Sequence, residues 1–316
     1  MPKIGYLLPT RERIMEGRDE TAALLALAEK AEGLGFDSLW VGDSLLARPR
    51  HDPLTLLAAI AARTRTAQLG TAVLLPALRN PVVLAHQVAT LDRIAEGRVI
   101  LGVGIAPDVP NVRAEFAAAG VPFDKRVGRM VEGLMLCRAL WSGKPVTWPK
   151  PGMEGRWTVQ SGVLGPTPHR PGGPPIWSAG AVTAARQRAG RLFDGWFPTS
   201  ARPENYAKEW AEVTAAAKAA GRDPSTLTPA MYVTFSIDDD TRRADDKLNA
   251  YLKEYYGVDP QLTRKMQRCF AGTPADAMAV MKSYVDGGVT HLMLRFAGDH
   301  DRHLALAARI RRDLGW

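Results

Sequence analysis

The chain has 316 residues, with 46% hydrophobic residues, 23% charged residues and a formal net charge of +8. The length suits one large α/β domain or two ordinary ones, and the composition is that of a globular enzyme. No long basic run accompanies the positive charge, so we expect no nucleic-acid partner, although a basic surface can attract anionic cofactors. No apolar run is long enough to cross a bilayer, so we do not expect a membrane-spanning protein.

Cysteine usage and the start of the chain predict the compartment. The two cysteines, Cys137 and Cys269, have no histidine or cysteine at a spacing typical of a zinc site, and no metal is expected. A strand follows Met-Pro-Lys directly, without the apolar segment of a signal peptide. We therefore expect a cytoplasmic protein with reduced thiols.

The first part of the chain alternates apolar runs with amphipathic helices. The runs predicted as strands are residues 3–8, 37–41, 68–76 and 99–103. The segments predicted as helices are 20–34, 54–65, 81–97, 111–119 and 125–141. Apolar runs without alternation are typical of parallel strands buried on both faces, and such strands joined by helices form right-handed βαβ units.

Residues 142–175 interrupt this alternation. The segment is dense in glycine, proline and tryptophan, with β-prone fragments at 145–148 and 156–163. Long ordered excursions from a compact fold are often lids or binding loops. The alternative is that residues 142–175 form a structural cover over the barrel.

Regular alternation then resumes to the end of the chain. Further strands are predicted to start near residues 175, 194, 228 and 290, and the helices are 183–192, 204–220, 241–256, 260–270, 274–287 and 301–314. Eight strands, each followed by a helix, predict a (β/α)₈ TIM barrel in a single domain over 1–316, with the insertion region at about 142–175. An open doubly wound parallel sheet is the alternative.

Six blocks of the sequence form a recognisable series. They are residues 29–43, 54–73, 91–104, 174–180, 193–198 and 272–276. In this order they resemble the bacterial luciferase-like superfamily of flavin- or deazaflavin-dependent oxidoreductases. The resemblance implies a TIM barrel that holds reduced FMN, or the deazaflavin coenzyme F-420, at the C-terminal face of its strands. It also implies a small-molecule substrate and a homodimer.

The resemblance also implies which residues hold the cofactor. Ala72 and Val73 match a bulge of the third strand that lies under the isoalloxazine ring and often contains a non-prolyl cis peptide. The cofactor phosphate is implied to lie on the amides of the turn from Gly180 to Thr183, where a helix N-terminus can bind an anion. FMN-type relatives often carry serine in place of Val182. The predicted cofactor-binding residues are Ala72, Val73, Ile105, Ser178, Gly180, Ala181, Val182 and Thr183.

Four residues are candidates for catalysis: Asp43, Ser44, Asp108 and Arg295. Many deazaflavin dehydrogenases of the superfamily have Asp-His where this chain has Asp43-Ser44, and a glutamate where it has Pro107. Ser44 cannot act alone as a base near neutral pH. Asp108 is expected to be either a substitute acid or a solvated loop carboxylate. Arg295, near the end of the eighth strand, is expected either to bind an anion or to form an ion pair at the rim.

These departures from the dehydrogenases lead to a first prediction of a monooxygenase. In this prediction a partner flavin reductase supplies reduced FMN, O₂ oxidises a small organic substrate, and the apolar residues Ala72, Val73, Leu75 and Ile105 exclude water. The segment Trp148–Trp157 is its candidate lid. The alternatives are an oxidoreductase dependent on coenzyme F-420 and a non-catalytic flavin-binding homologue.

Overall fold

The structure is a computed structural model that describes all residues from 1 to 316. The strands are β1 (Lys3–Leu7), β2 (Ser38–Val41), β3 (Gln68–Thr71), β4 (Val99–Val103), β5 (Val146–Trp148), β6 (Val159–Gly162), β7 (Ile176–Ser178), β8 (Gly195–Trp196), β9 (Thr228–Ile237), β10 (Cys269–Gly272) and β11 (His291–Phe296). The helices are α1 (Thr10–Met15), α2 (Thr21–Gly33), α3 (Pro53–Arg63), α4 (Pro81–Ile94), α5 (Pro110–Ala118), α6 (Arg126–Leu140), α7 (Thr183–Leu192), α8 (Pro203–Ala219), α9 (Thr241–Tyr256), α10 (Pro260–Met266), α11 (Pro274–Asp286) and α12 (His300–Asp313).

Eight of the strands close into a parallel barrel. Their order is β1, β2, β3, β4, β7, β8, β9 and β11, and β11 pairs with β1 to complete the circle. The predicted (β/α)₈ barrel is therefore confirmed, and the open-sheet alternative is wrong. Because the strands are parallel, their carboxyl ends meet at one mouth, where this fold carries its active sites. No helix is both long enough and apolar enough to span a membrane.

Aromatic side chains fill the barrel interior below the mouth. The rings of Trp40 and Trp177 lie 5.4 Å apart between their centroids. Gly70 makes room for the indole of Trp40, because a Cβ at that position would lie 2.1 Å from the Trp40 ring. His291 is buried against both indoles and its Nε2 lies 2.7 Å from the hydroxyl oxygen of Ser38. This packing fills the lower barrel beneath the mouth.

The excursion 142–175 packs on the outside of the barrel. Strands β5 and β6 form an antiparallel hairpin whose Trp148 is buried, with its indole nitrogen 3.4 Å from Glu132 of α6. Farther along, the Thr167 carbonyl accepts a hydrogen bond from Arg93 at 2.7 Å. None of the excursion lines the cavity at the mouth. This packing favours the structural cover, and the lid over Trp148–Trp157 stays a prediction.

The rim between β8 and β9 departs from the prediction. A helix was expected over 260–270, but α10 ends at Met266 and Cys269–Gly272 forms β10. Strand β8 pairs with β9 only near Thr228, and β10 pairs in parallel with the carboxyl end of β9 instead. The long β9 offers an unpaired edge above β8, and this tertiary pairing overrides the local helical pattern.

Candidate functional site

A cavity of about 350 Å³ lies at the mouth of the barrel. Its lining comes from the ends of β2, β3, β9 and β11, from the loops after β2 and β4, and from the α9–α10 region. Leu7, Phe197 and Tyr232 belong both to the aromatic cluster of the interior and to this lining, so they form the cavity floor. A pocket of this size at this face is the expected place for a ligand.

The end of β3 forms the predicted bulge. Gly70 pairs with Ile100 and Leu74 with Val103, so that Thr71, Ala72 and Val73 face only Leu101 and Gly102 of β4. The Ala72–Val73 peptide is cis, which confirms the predicted distortion. Both side chains line the cavity.

Two glycines of β4 and its end allow this bulge to approach closely. A Cβ on Gly102 would lie 2.0 Å from the Thr71 carbonyl oxygen, and one on Gly104 would lie 2.6 Å from Cγ2 of Val73. Real Cβ contacts are never so short, so both positions require glycine for this arrangement. The glycine pattern of the 91–104 motif thus builds the surface that the resemblance assigns to the cofactor ring.

Asp43 has a positioning role. Its carboxylate, only 1% exposed, accepts hydrogen bonds from both terminal nitrogens of Arg79, at 2.5 and 3.1 Å, and from the Leu75 amide at 2.9 Å. Burial lowers the pKa of Arg79, but the charges of Asp43 and Asp52 and their hydrogen bonds together raise it overall. The ion pair fixes the loop after the bulge, and this geometry does not support Asp43 as a catalytic acid or base.

Ser44 is also engaged within the protein. Its hydroxyl donates to Glu115 Oε1 at 2.7 Å and accepts from the Arg48 amide at 2.9 Å. Glu115 is buried and accepts from the amide of Leu46 at 2.8 Å as well. Together they hold the turn after β2, so the structure does not support a catalytic role for Ser44.

Asp108 lies outside the cavity. Its carboxylate is half exposed and accepts two hydrogen bonds from Arg113, at 2.6 and 2.8 Å. These hydrogen bonds lower the pKa of Asp108, which keeps it ionised and unfit to donate a proton. This pairing favours the solvated-carboxylate alternative, and the role of Asp108 as a substitute acid stays a prediction.

Arg295 lies in a cage of tyrosines at the cavity wall. Its Nε donates to the Tyr251 hydroxyl at 2.6 Å and its Nη1 to the Tyr256 hydroxyl at 2.9 Å. Its Cζ lies 3.8 Å from the ring centroid of Tyr255, and its Nη2 lies 3.8 Å from the Glu12 carboxylate. Arg295 therefore faces the site as predicted, but tyrosines and a buried carboxylate surround it rather than an open anion subsite.

Arg48 and Arg50 bring further positive charge to the cavity. Arg50 donates from Nη2 to the Tyr255 hydroxyl at 3.2 Å and from Nε to the Arg48 carbonyl at 3.2 Å. Its Nη1 lies against Gly42, since a Cβ there would be only 2.0 Å away. Neither arginine has a carboxylate within 4.0 Å. Two cations without a carboxylate partner thus face the cavity.

The predicted phosphate turn lies outside the 350 Å³ cavity. Gly180 has a φ of 114°, Val182 is 69% exposed, and α7 begins at Thr183. The backbone amides from Gly180 to Thr183 have no backbone acceptor, as an anion site requires. Ser178 is buried at the end of β7, next to β4 in the barrel, and Ile105 adjoins the cavity-lining Ala106. Phosphate binding at this turn stays a prediction.

A sequence model of the family described as luciferase-like monooxygenase matches residues 1–313. The chain belongs to this family. It is 30% identical to the F420-dependent glucose-6-phosphate dehydrogenase of Amycolatopsis mediterranei, over 96% of each chain. It is 27% identical to the 5,10-methylenetetrahydromethanopterin reductase of Methanolobus tindarius, over 87% of this chain and 90% of the relative. The solved structure of the monooxygenase RslO1 from Streptomyces bottropensis has the same fold, with a TM-score of 0.83, 24% identity, and coverage of 99% of this chain and 100% of that one.

The luciferase-like family and its oxidoreductase class confirm the predicted recognition and the prediction of an enzyme. The more specific first prediction, an FMN monooxygenase, is not confirmed. Its physical basis is also weakened, because the cavity wall carries arginines and tyrosines and the candidate lid lies elsewhere.

Sequence reasoning missed Arg50, Glu115 and the tyrosines of α9 in this luciferase-like oxidoreductase. Tyr255 lies four residues after Tyr251, which places both on one face of a helix, and Tyr256 follows directly. That spacing is a detectable signal. Their meeting with Arg50 and Arg295 is not, because it depends on how distant strands close the barrel.

Proposed function

We propose that this luciferase-like oxidoreductase uses the deazaflavin coenzyme F-420 to transfer a hydride to or from a small organic substrate. The observation that carries the proposal is the character of the cavity wall beside the Ala72–Val73 bulge. Arg50, Tyr255 and Arg295 stand there, where an oxygenase that shields a reactive adduct would need an apolar, closed surface. The 30% identity to an F420-dependent dehydrogenase, over 96% of each chain, also supports the proposed use of coenzyme F-420.

The residues present fit this coenzyme. Gly102 and Gly104 leave a surface free of Cβ atoms around the bulge, on which Ala72 and Val73 would support a flat ring. Coenzyme F-420 carries a phosphate and carboxylates, and the guanidinium groups of Arg48 and Arg50, which lack a carboxylate partner, complement such charges. When bound, the coenzyme supplies or accepts the hydride; the protein orients both reactants and controls the proton.

Glucose 6-phosphate is not proposed as the substrate. The resemblance implies that many deazaflavin dehydrogenases carry a histidine and a glutamate at the positions of Ser44 and Pro107. Here the Ser44 hydroxyl holds a turn together with Glu115, and Pro107 has no ionisable group. The proton chemistry of this site must therefore come from another residue.

Equilibrium binding tests the proposal. Purified protein is titrated with coenzyme F-420 and, in the same buffer, with FMN, following coenzyme fluorescence. We expect saturable F-420 binding that is tighter than FMN binding and that weakens with added salt, because guanidinium groups hold the anionic coenzyme. Tight FMN binding without F-420 binding would restore the monooxygenase hypothesis.

A further inference from the structure

We propose that Tyr255 is the acid–base residue of this site, and that the substrate is an alcohol or the corresponding ketone or aldehyde. This inference rests on the proposed hydride-transfer function. It adds the substrate class and the residue that carries the proton, which the proposed function does not specify. A hydride added to a carbonyl carbon requires a proton for the carbonyl oxygen. The two carboxylates that line the cavity, Asp43 and Glu115, already accept hydrogen bonds from protein groups, so another residue must supply this proton.

The geometry of Tyr255 meets this requirement. The residue is 6% exposed and lines the cavity with Ala72 and Val73. Its hydroxyl oxygen accepts from Arg50 Nη2 at 3.2 Å, and no protein group accepts its proton, which remains available to a substrate oxygen. The same Arg50 guanidinium touches Gly42, where a Cβ would lie 3.5 Å from the Ala72 carbonyl oxygen. Arg50 therefore connects the Tyr255 hydroxyl to the backbone next to the bulge, and both line the same cavity.

The neighbouring tyrosines are less suited to give up a proton to a substrate. The Tyr251 hydroxyl donates to the Glu12 carboxylate, and the Tyr256 hydroxyl donates to Gln267 at 3.1 Å. Burial raises the pKa of Tyr232, which keeps its proton. Tyr255 is left as the phenol whose proton can leave toward the substrate.

The titratable groups that face Tyr255 come from four parts of the fold. Arg11 of α1 lies with its Cζ 4.6 Å from the Tyr255 ring centroid, Arg295 of β11 lies at 3.8 Å, and Arg50 comes from the loop after β2. The negative charge is that of Glu12 on α1, and Tyr251 and Tyr256 of α9 complete the surroundings. Burial raises the pKa of Tyr255, but the charges of Arg50 and Arg295 outweigh it and lower the pKa overall.

The proton balance closes for reduction of a carbonyl compound. The hydride from reduced coenzyme F-420 forms the new C–H bond, and the π-electron pair of the carbonyl moves to its oxygen. The O–H bond of Tyr255 breaks as its proton joins that oxygen, which gives the alcohol. The resulting phenolate would be stabilised by Arg50 and Arg295 and would regain a proton from solvent, which in turn takes up the ring proton that the coenzyme loses along with its hydride. The substrate gains two electrons and the coenzyme loses two; alcohol oxidation is the reverse.

The first arm of the test needs no coenzyme. The tyrosinate absorbance of the protein is titrated with pH for the wild type, Tyr255→Phe and Tyr256→Phe. We expect one tyrosine of the wild type to ionise at lower pH than the others, and this transition to vanish in Tyr255→Phe and persist in Tyr256→Phe. Persistence of the early transition in Tyr255→Phe would overturn the assignment.

The second arm measures F-420 affinity and turnover with a panel of short secondary alcohols and their ketones. Tyr255→Phe should bind F-420 like the wild type and lose turnover by about 10²-fold to 10⁴-fold, the usual contribution of a general acid–base group. Wild-type turnover rates in Tyr255→Phe would overturn its role alone. F-420 binding without turnover of any panel member would overturn the substrate class, and absence of F-420 binding would overturn the proposed function itself.

Discussion

Arg50 and Tyr255, 205 positions apart in the sequence, are joined by a hydrogen bond of 3.2 Å from the guanidinium to the phenol oxygen. The bond spans the cavity wall between the loop after β2 and the end of α9. A cation that donates to a phenol oxygen stabilises the phenolate over the phenol. Arg50 therefore lowers the pKa of Tyr255 together with Arg295, although both are distant from it in the sequence.

Replacing Arg50 should raise the pKa of Tyr255. In Arg50→Gln the positive charge is lost, so the early tyrosinate transition should move to higher pH. Carbonyl reduction needs the protonated phenol, so its rate falls as pH rises through this pKa, and in Arg50→Gln the fall should begin at higher pH. Arg48→Gln is the matched control, because Arg48 lies over the Tyr256 ring, 5.0 Å from its centroid. Equal shifts in both variants would contradict the pairing.

The Asp43–Arg79 ion pair should be essential for stability. Removing one member of a buried pair costs about 3–5 kcal/mol, so we expect Asp43→Asn to lower the free energy of unfolding by about that amount in urea denaturation. Asp108→Asn breaks an exposed pair, for which the expected loss is below about 1 kcal/mol. Turnover in Asp108→Asn should match the wild type. Loss of turnover there would reinstate Asp108 as an acid.

Gly104 should be required for coenzyme binding. A Cβ at this position would lie 2.6 Å from Cγ2 of Val73, a branched side chain that cannot rotate away cheaply. Gly104→Ala should displace the bulge, weaken F-420 binding and cost about 1–3 kcal/mol of stability from overpacking. Gly33→Ala at the end of α2, where a Cβ meets nothing within 4 Å, should leave F-420 binding unchanged. Equal affinities in Gly104→Ala and the wild type would remove the bulge from the coenzyme site.

Buried His291 should make the fold sensitive to acid. Burial lowers its pKa to about 3, whereas the pKa of a histidine in the unfolded chain is about 6.5. The unfolded state therefore takes up a proton first as pH falls, and stability drops below about pH 6.5 by about 1.4 kcal/mol per pH unit. His291→Phe removes this contribution, so its unfolding free energy should depend less steeply on pH between about 6 and 4. Parallel curves for the two proteins would contradict it.

The sequence predicts the features that depend on neighbours along the chain. Apolar runs with the helices between them predict the barrel, and the 69–73 motif predicts the bulge at Ala72–Val73. Strand β10 escapes prediction, because only its pairing with the far end of β9 distinguishes Cys269–Gly272 from a helix end.

The candidate site is less predictable for the same physical reason. The motifs single out Ser44 and Asp108. The hydroxyl of Ser44 is bound by Glu115, which is 71 residues away, and the carboxylate of Asp108 is bound by Arg113 on the following helix. The contact of Tyr255 with Arg50 and Arg295 exists only after the barrel has closed. No local sequence pattern shows which charged groups surround Tyr255.

The most direct test of F-420-dependent hydride transfer is the visible absorbance of oxidised coenzyme F-420, mixed with the purified protein and a secondary alcohol under anaerobic conditions and again in air. We expect the absorbance to fall at the same initial rate in both, because the coenzyme takes the hydride without O₂. An unchanged F-420 spectrum, together with substrate oxidation that requires reduced FMN and O₂, would contradict the proposed function.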